Sequence, residues 1–255
     1  MQRRTLTRRA EPSTPAQAEL FATLPRRGGK RPGAGRPPKG ARAGMPHLTR
    51  PDLAARFPVH VVLRRAPALG TLRRLDFYAA IRKATTRVAQ RKSFRIVHLS
   101  IQRSHIHLLV EANDKVSLSR GMQAFQISAA KQLNRAFSRR LPGPRRRGAV
   151  FPDRYYAEII RSPQQARHAL SYVLNNWRKH HEDREDERRG WKIDWYSSAG
   201  AFACWAEAEQ EPWMLRRPSK MEPLQVTPAA TWLLDVGWKK HGSTISRREV
   251  PTSTR

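Results

Sequence analysis

A chain of 255 residues can hold one sizeable core with appendages, and its single cysteine, Cys204, excludes an intrachain disulfide framework and a thiolate metal cluster. Fifty Lys plus Arg against twenty Asp plus Glu leave a formal charge of +30, an excess that points to a polyanionic partner. No apolar run approaches the roughly twenty residues of a membrane span, and the basic N-terminus lacks an apolar secretory stretch, so a soluble cytoplasmic protein without a membrane partner is expected.

Residues 1–55 mix Arg, Gly, Pro and Ala with almost no aromatics, a composition that cannot bury enough apolar surface to offset its ordering entropy. This segment reads as a disordered basic arm. Within it the run Gly28 to Lys39 sets a Gly-Arg-Pro core among cations and resembles an AT-hook, which makes Arg36 and Lys39 candidate minor-groove contacts. A flexible basic linker has the same composition.

From Pro58 the pattern alternates, with Val59, Val61 and Leu63 on one face of a predicted strand. A helix is predicted over 72–91, its inward stripe formed by Leu75, Tyr78, Ile81, Ala84 and Val88, with Arg73, Arg74, Arg82 and Arg87 on the other faces. Phe94 to Ser100 and His105 to Glu111 read as a hairpin. A second amphipathic helix, 118–137, turns Leu118, Met122, Phe125, Ala129, Leu133 and Ala136 inward. The Pro/Gly/Arg loop 141–148 breaks the pattern before a fourth strand, 155–160. A third helix then opens on Ser162 as N-cap, Pro163 at its first position and Gln165 completing a capping box, and runs to about His181. The order strand, helix, strand, strand, helix, strand is the split βαβ arrangement of ferredoxin-like α+β folds, here with an extra C-terminal helix and a four- to five-stranded antiparallel sheet.

Chemistry concentrates at His105-Ile106-His107. In a strand the two imidazoles point to one face and can share one cation, with a third ligand supplied by another element. On the third helix, Ala166, Ala169, Leu170, Val173, Leu174 and Trp177 form the buried stripe; Asn176 falls just beyond its edge, with Tyr172 one turn earlier on the same flank. If that helix crosses the histidine face, an amide oxygen and a nucleophilic phenol meet the same cation. Tyr155 and Tyr156, in a strand, are rival nucleophiles, one core and one edge. His60 and His98 read as structural or surface groups.

The runs Ser104-His105-Ile106-His107-Leu108-Leu109-Val110 and Tyr172-Val173-Leu174-Asn175-Asn176 resemble the REP-associated tyrosine transposases of the HUH nuclease superfamily, over about residues 57–205. Two departures are Gln102-Arg103-Ser104, where members commonly have Met-Pro-Asn, and Trp177, where many have proline. The resemblance implies that His105, His107 and Asn176 hold Mg²⁺ or Mn²⁺ and that Tyr172 attacks single-stranded or hairpin DNA to form a 5′-phosphotyrosine. Rival readings are a domesticated hairpin-binding protein without turnover, a replication or plasmid-transfer initiator and an RNA-binding module; no P-loop motif is present for an attached helicase.

Arg139, Arg140, Arg145, Arg146 and Arg147 read as a DNA-backbone clamp, and Arg178 and Lys179, with His180 and His181, as a basic helix end that can meet phosphate. The tract from Glu182 to Arg188 reads as a solvated charged face. The expected organisation is a basic arm (1–55), a catalytic domain (56–182) and a Trp-rich C-terminal extension (183–255), in a bacterial, nucleoid-associated protein acting as monomer or homodimer.

Overall fold

The computed structural model describes residues 49–140, 143–184 and 190–249. Arg36, Lys39 and the AT-hook-like run lie outside the described residues, as do Leu141, Pro142 and residues 185–189. Strand β1 (Val59–Arg64), helix α1 (Leu75–Ala89), strands β2 (Phe94–Ile101) and β3 (His105–Ala112), helix α2 (Lys115–Ser138), strand β4 (Tyr156–Ile159) and helix α3 (Pro163–Lys179) follow in the expected order. The four strands form one antiparallel sheet in the order β2-β3-β1-β4, the ferredoxin-like α+β arrangement. No helix among the described residues is long and apolar enough to cross a membrane.

Local chemistry accounts for the helix ends. Asp114 caps α2 by accepting the Ser117 N–H, and Ser162 caps α3 by accepting the Gln165 N–H. The Gln165 side chain returns to the Arg161 N–H, one residue before the cap that a standard capping box would use. His181, with φ of 55°, ends α3 in the left-handed region. Trp177 leaves the helix unbroken.

In β1 the side chains of Val59, Val61 and Leu63 are fully buried, and in β3 Ile106, Leu108 and Val110 share their face. This face packs against α1 and α2. The inward stripe of α2 is as expected, but in α1 Leu75 is 45% exposed and Phe77 takes the buried place. The other sheet face carries His60 and Val62 from β1, His105, His107, Leu109 and Glu111 from β3, and His98 and Ser100 from β2. It is covered by α3 and the C-terminal segment.

A face this polar must be satisfied when buried. Glu111 accepts the backbone N–H groups of Ala230 and Thr231 and the Thr231 hydroxyl. Arg73, expected on an outer helix face, is instead buried: its guanidinium forks onto Asp194 at 2.9 and 2.7 Å, donates to the Ile101 carbonyl and lies 2.8 Å from Glu182. Glu182 is therefore not part of a solvated face, as its sequence context suggested; burial raises its pKa against the pull of Arg73. The exposed edge of β2 is closed by the same segment, through a bridge between Ser100 and Ser197 and a bond from Thr227 N–H to the Ile96 carbonyl.

Two tests follow from this packing. Gly121 lies in α2 where a Cβ would fall 2.1 Å from Cγ of the buried Phe94 ring. Gly to Ala inside an open helix stabilises by about 1 kcal/mol; here Gly121→Ala should instead destabilise by about 1–3 kcal/mol, the usual cost of overpacking. Urea unfolding gives the sign.

His98 is buried beside Ser198 Oγ, 3.0 Å from its Nδ1, and that oxygen also accepts the Leu99 N–H. Burial pushes the His98 pKa down to about 4 from 6.5. A lowered folded-state pKa contributes stability above the unfolded value that disappears as pH falls through the folded one. Stability should therefore fall between pH 6.5 and pH 4, and His98→Asn should reduce that slope by up to about 1.4 kcal/mol per pH unit. An unchanged slope would mean that His98 titrates alike in both states.

Candidate active site

The register Val62 to His107 and Arg64 to His105 places both histidines of the pair beside outward positions of β1, on the face that α3 crosses. The Tyr172 ring stands edge-on to the His107 ring, with centroids 5.1 Å apart, and 5.9 Å from that of His60. His105 and His107 lie 4.6 Å apart, and His105 meets His180 at 5.5 Å. Tyr172, Asn176 and His180 are spaced by one helical turn each, so Asn176 sits on the flank whose two ends touch His107 and His105. The structure thus brings Tyr172, His105 and His107 together, with Asn176 on the helix turn between the Tyr172 and His180 contacts.

Electrostatics keep these rings neutral. Burial, with help from His180, Arg64 and His60, lowers the His105 pKa to about 4. Burial, followed by His60 and His105, holds His107 well below the ordinary imidazole value. Each ring therefore offers a lone pair at neutral pH. Burial also raises the Tyr172 phenol, and the Lys179 ammonium lies 5.0 Å from the centre of its ring.

Unsatisfied polar atoms mark the same place. His107 Nε2 and both amide atoms of Asn176 are buried without a hydrogen-bond partner. Ordinary core polar groups are paired, whereas two imidazole nitrogens and an amide oxygen fit a divalent cation of intermediate hardness. Among the described residues, no group of three or more His, Cys, Asp or Glu side chains forms a closed cation site. A cation here would rest on His105, His107 and Asn176 and keep positions open to other ligands.

His60 is the residue that sequence reasoning misplaced. Its Nε2 lies 3.0 Å from His107 Nδ1, and the two rings stack with an interplanar angle of 18°. The alternation of Val59, Val61 and Leu63 already put His60 on the opposite face of β1; only the pairing with β3 shows that His107 shares it. Of the rival nucleophiles, Tyr155 is core and lies under the Arg50 guanidinium, while Tyr156 is exposed on the edge strand.

The expected DNA contacts separate into groups. Arg139, Arg145 and Arg146 line one groove of about 740 Å³ together with Lys131 and Arg135. Arg146 also braces the loop, donating to the Asn134 side chain and the Ala149 carbonyl, and its backbone N–H bonds Ser138 Oγ. Arg140 lies 3.8 Å from Asp76 in an adjoining hollow, and Arg147 is exposed. Arg178 is committed to the protein, donating to the carbonyls of Arg247 and Lys192 and to Asp183.

No curated protein matches the chain. A solved structure of a REP-associated tyrosine transposase bound to a REP hairpin is similar to it, at 16% identity over 73% of this chain and 96% of that one, with a TM-score of 0.45. Residues 57–176 match the family described as Transposase IS200 like. That segment, which holds the whole sheet, the histidine pair, Tyr172 and Asn176, is the part of the chain that resembles the IS200-like transposases.

Proposed function

We propose that this chain is a single-strand DNA nuclease and strand transferase that acts on hairpin or palindromic DNA through Tyr172. The observation that carries the reading is the convergence of a half-buried phenol with neutral His107, whose Nε2 is stranded, and with the stranded amide of Asn176. The family match supplies the class of reaction.

His105, His107 and Asn176 would hold Mg²⁺ or Mn²⁺, which would neutralise charge building on a phosphate oxygen during attack. Two nitrogen donors suit Mn²⁺ better than Mg²⁺. Tyr172 Oη forms the new bond to phosphorus as the bond to the 3′ oxygen breaks, leaving a 5′-phosphotyrosine and a 3′-hydroxyl, to which the phenol proton is ultimately passed. Because one phosphoester replaces another, the reverse attack by a 3′-hydroxyl needs no external energy source. Lys179, close above the Tyr172 ring, adds positive charge where the phosphate must approach. The raised phenol pKa means that attack depends on proton removal as the bond forms.

The Lys131, Arg135, Arg139 and Arg145 groove supplies the polyanion site. Backbone contacts of this kind set register and orientation and carry little sequence information.

Tyr172→Phe should abolish the covalent protein–DNA adduct formed on a labelled single-stranded hairpin with Mn²⁺, while Tyr155→Phe and Tyr156→Phe retain it. Denaturing gels give the answer. An adduct that survives in Tyr172→Phe and disappears in Tyr156→Phe would move the nucleophile to β4. No adduct in any of the proteins, with salt-sensitive hairpin binding intact, would favour a binding protein without turnover.

Replacing Arg135, Arg139 and Arg145 together by Ala should weaken hairpin binding and flatten its salt dependence. Each lost phosphate contact lowers the log–log slope by about 0.9 on duplex and about 0.7 on single strands. An unchanged slope would place the DNA elsewhere on the surface.

A further inference from the structure

We infer that His60 is a positioning residue that holds His107 in the tautomer protonated at Nδ1, leaving the Nε2 lone pair free to face the site. The inference rests on the proposed cation site for its purpose, and on geometry alone for its content. His60 Nε2 and His107 Nδ1 are 3.0 Å apart, a hydrogen-bond distance between two ring nitrogens. Such a contact needs one proton shared between the two atoms, so one nitrogen donates and the other accepts.

Only two neutral arrangements meet that condition. If His60 donates, the His107 proton must sit on Nε2, which is buried and has no hydrogen-bond partner. That leaves an orphaned N–H in the interior and turns a proton toward any cation. If His107 donates from Nδ1 instead, the buried Nε2 carries only a lone pair, and half-buried His60 carries its own proton on Nδ1. Orphaned buried donors are rarer than orphaned acceptors, and only the second arrangement can complete a cation site. Fixing the distal nitrogen of a ligating histidine by a hydrogen-bond partner is the general way in which tautomer and ring orientation are set.

The two rings are also held against rotation. They stack at 5.2 Å with an interplanar angle of 18°, and Tyr172 stands edge-on to both. A flip of the His107 ring would break the His60 bond and turn carbon edges toward the site. His60 thus touches the nucleophile's ring and the candidate ligand together without itself needing to meet the substrate. The strand register puts it there: His60 pairs with Leu109, one step along the same face from His107.

The test uses metal-free full-length protein labelled with ¹⁵N-histidine. Long-range ¹H–¹⁵N correlations, assigned by comparison with His107→Ala, should show His107 protonated at Nδ1 in the wild type and lose that signature in His60→Phe. Mn²⁺ affinity, measured by titration of its paramagnetic signal, should fall roughly 10–100-fold in His60→Phe. It should stay near wild type in His60→Gln, whose Oε1 can accept the same Nδ1–H. A wild-type His107 protonated at Nε2 would overturn the inference outright, without any variant. So would a folded His60→Phe with unchanged tautomer and unchanged Mn²⁺ affinity. Wild-type protein that binds no Mn²⁺ would overturn the cation site, while the metal-free spectrum would still decide the role of His60.

Discussion

The antiparallel register between β1 and β3 is the constraint on which the other features depend. Strand side chains alternate, so a single pairing decides two faces at once. With Val62 opposite His107 and Leu63 opposite Ile106, one face becomes a continuous aliphatic surface for α1 and α2. The other receives Glu111 and four imidazoles, those of His60, His98, His105 and His107. A slip by one residue would bury the histidines under α1 and α2 and set valines against Tyr172. The apolar core therefore specifies the histidine face, since the register that best buries Val59, Val61, Leu63, Ile106, Leu108 and Val110 is the one that gathers His60, His105 and His107.

Gathering polar groups on a covered face carries a desolvation cost, and the C-terminal segment offsets most of it. Glu111 is met by backbone donors and a hydroxyl at one end of the face, and Arg73 by Asp194, Glu182 and a carbonyl at the other. His98 has Ser198 between them. Against that background the stranded atoms of His107 and Asn176 stand out, because Glu111, Arg73 and His98 are each paired. A buried polar atom without a partner calls for a functional explanation, and His107 and Asn176 lie on the sheet face and on the helix that covers it.

Much of this was legible beforehand. Element order, the α2 stripe, the Ser162 cap and the relation of Tyr172 to Asn176 follow from local periodicity, which needs no knowledge of tertiary pairing. What was not legible depends on contacts distant in sequence. His60 is far along the chain from His107 and reads as an ordinary outward strand residue. Arg73 looked solvent-facing because its partner Asp194 lies in the tryptophan-rich region where no periodicity guides the reading. Glu182 was absorbed into a run of charges whose composition resembles a surface. Leu75 and Phe77 differ from the expected stripe because Leu75 is the first residue of α1, at its exposed end, while Tyr78, Ile81, Ala84 and Val88 are buried as the periodicity indicates.

Helix α3 is held from two sides. Its sheet-facing flank carries Tyr172 and Asn176, and Arg167, Ser171, Asn175 and Arg178 bond the C-terminal segment. Arg167 donates to the carbonyls of Gly242 and Thr244, the Ser171 hydroxyl to that of Glu249, and the Asn175 amide to those of Ser246 and Glu249. These bonds fix the helix in rotation as well as position, since they come from consecutive turns along a row about 100° round the helix from Tyr172 and Asn176. Rotation matters more than translation here. One residue corresponds to about 100°, so a modest roll of α3 would carry the phenol away from His107 before any core contact was lost. The family segment ends at Asn176, yet the groups that hold Asn176 and Tyr172 in register lie between Gly242 and Glu249. The orientation of Tyr172 is thus set by residues outside the segment that contains it, and the C-terminal extension belongs to the architecture of the candidate site.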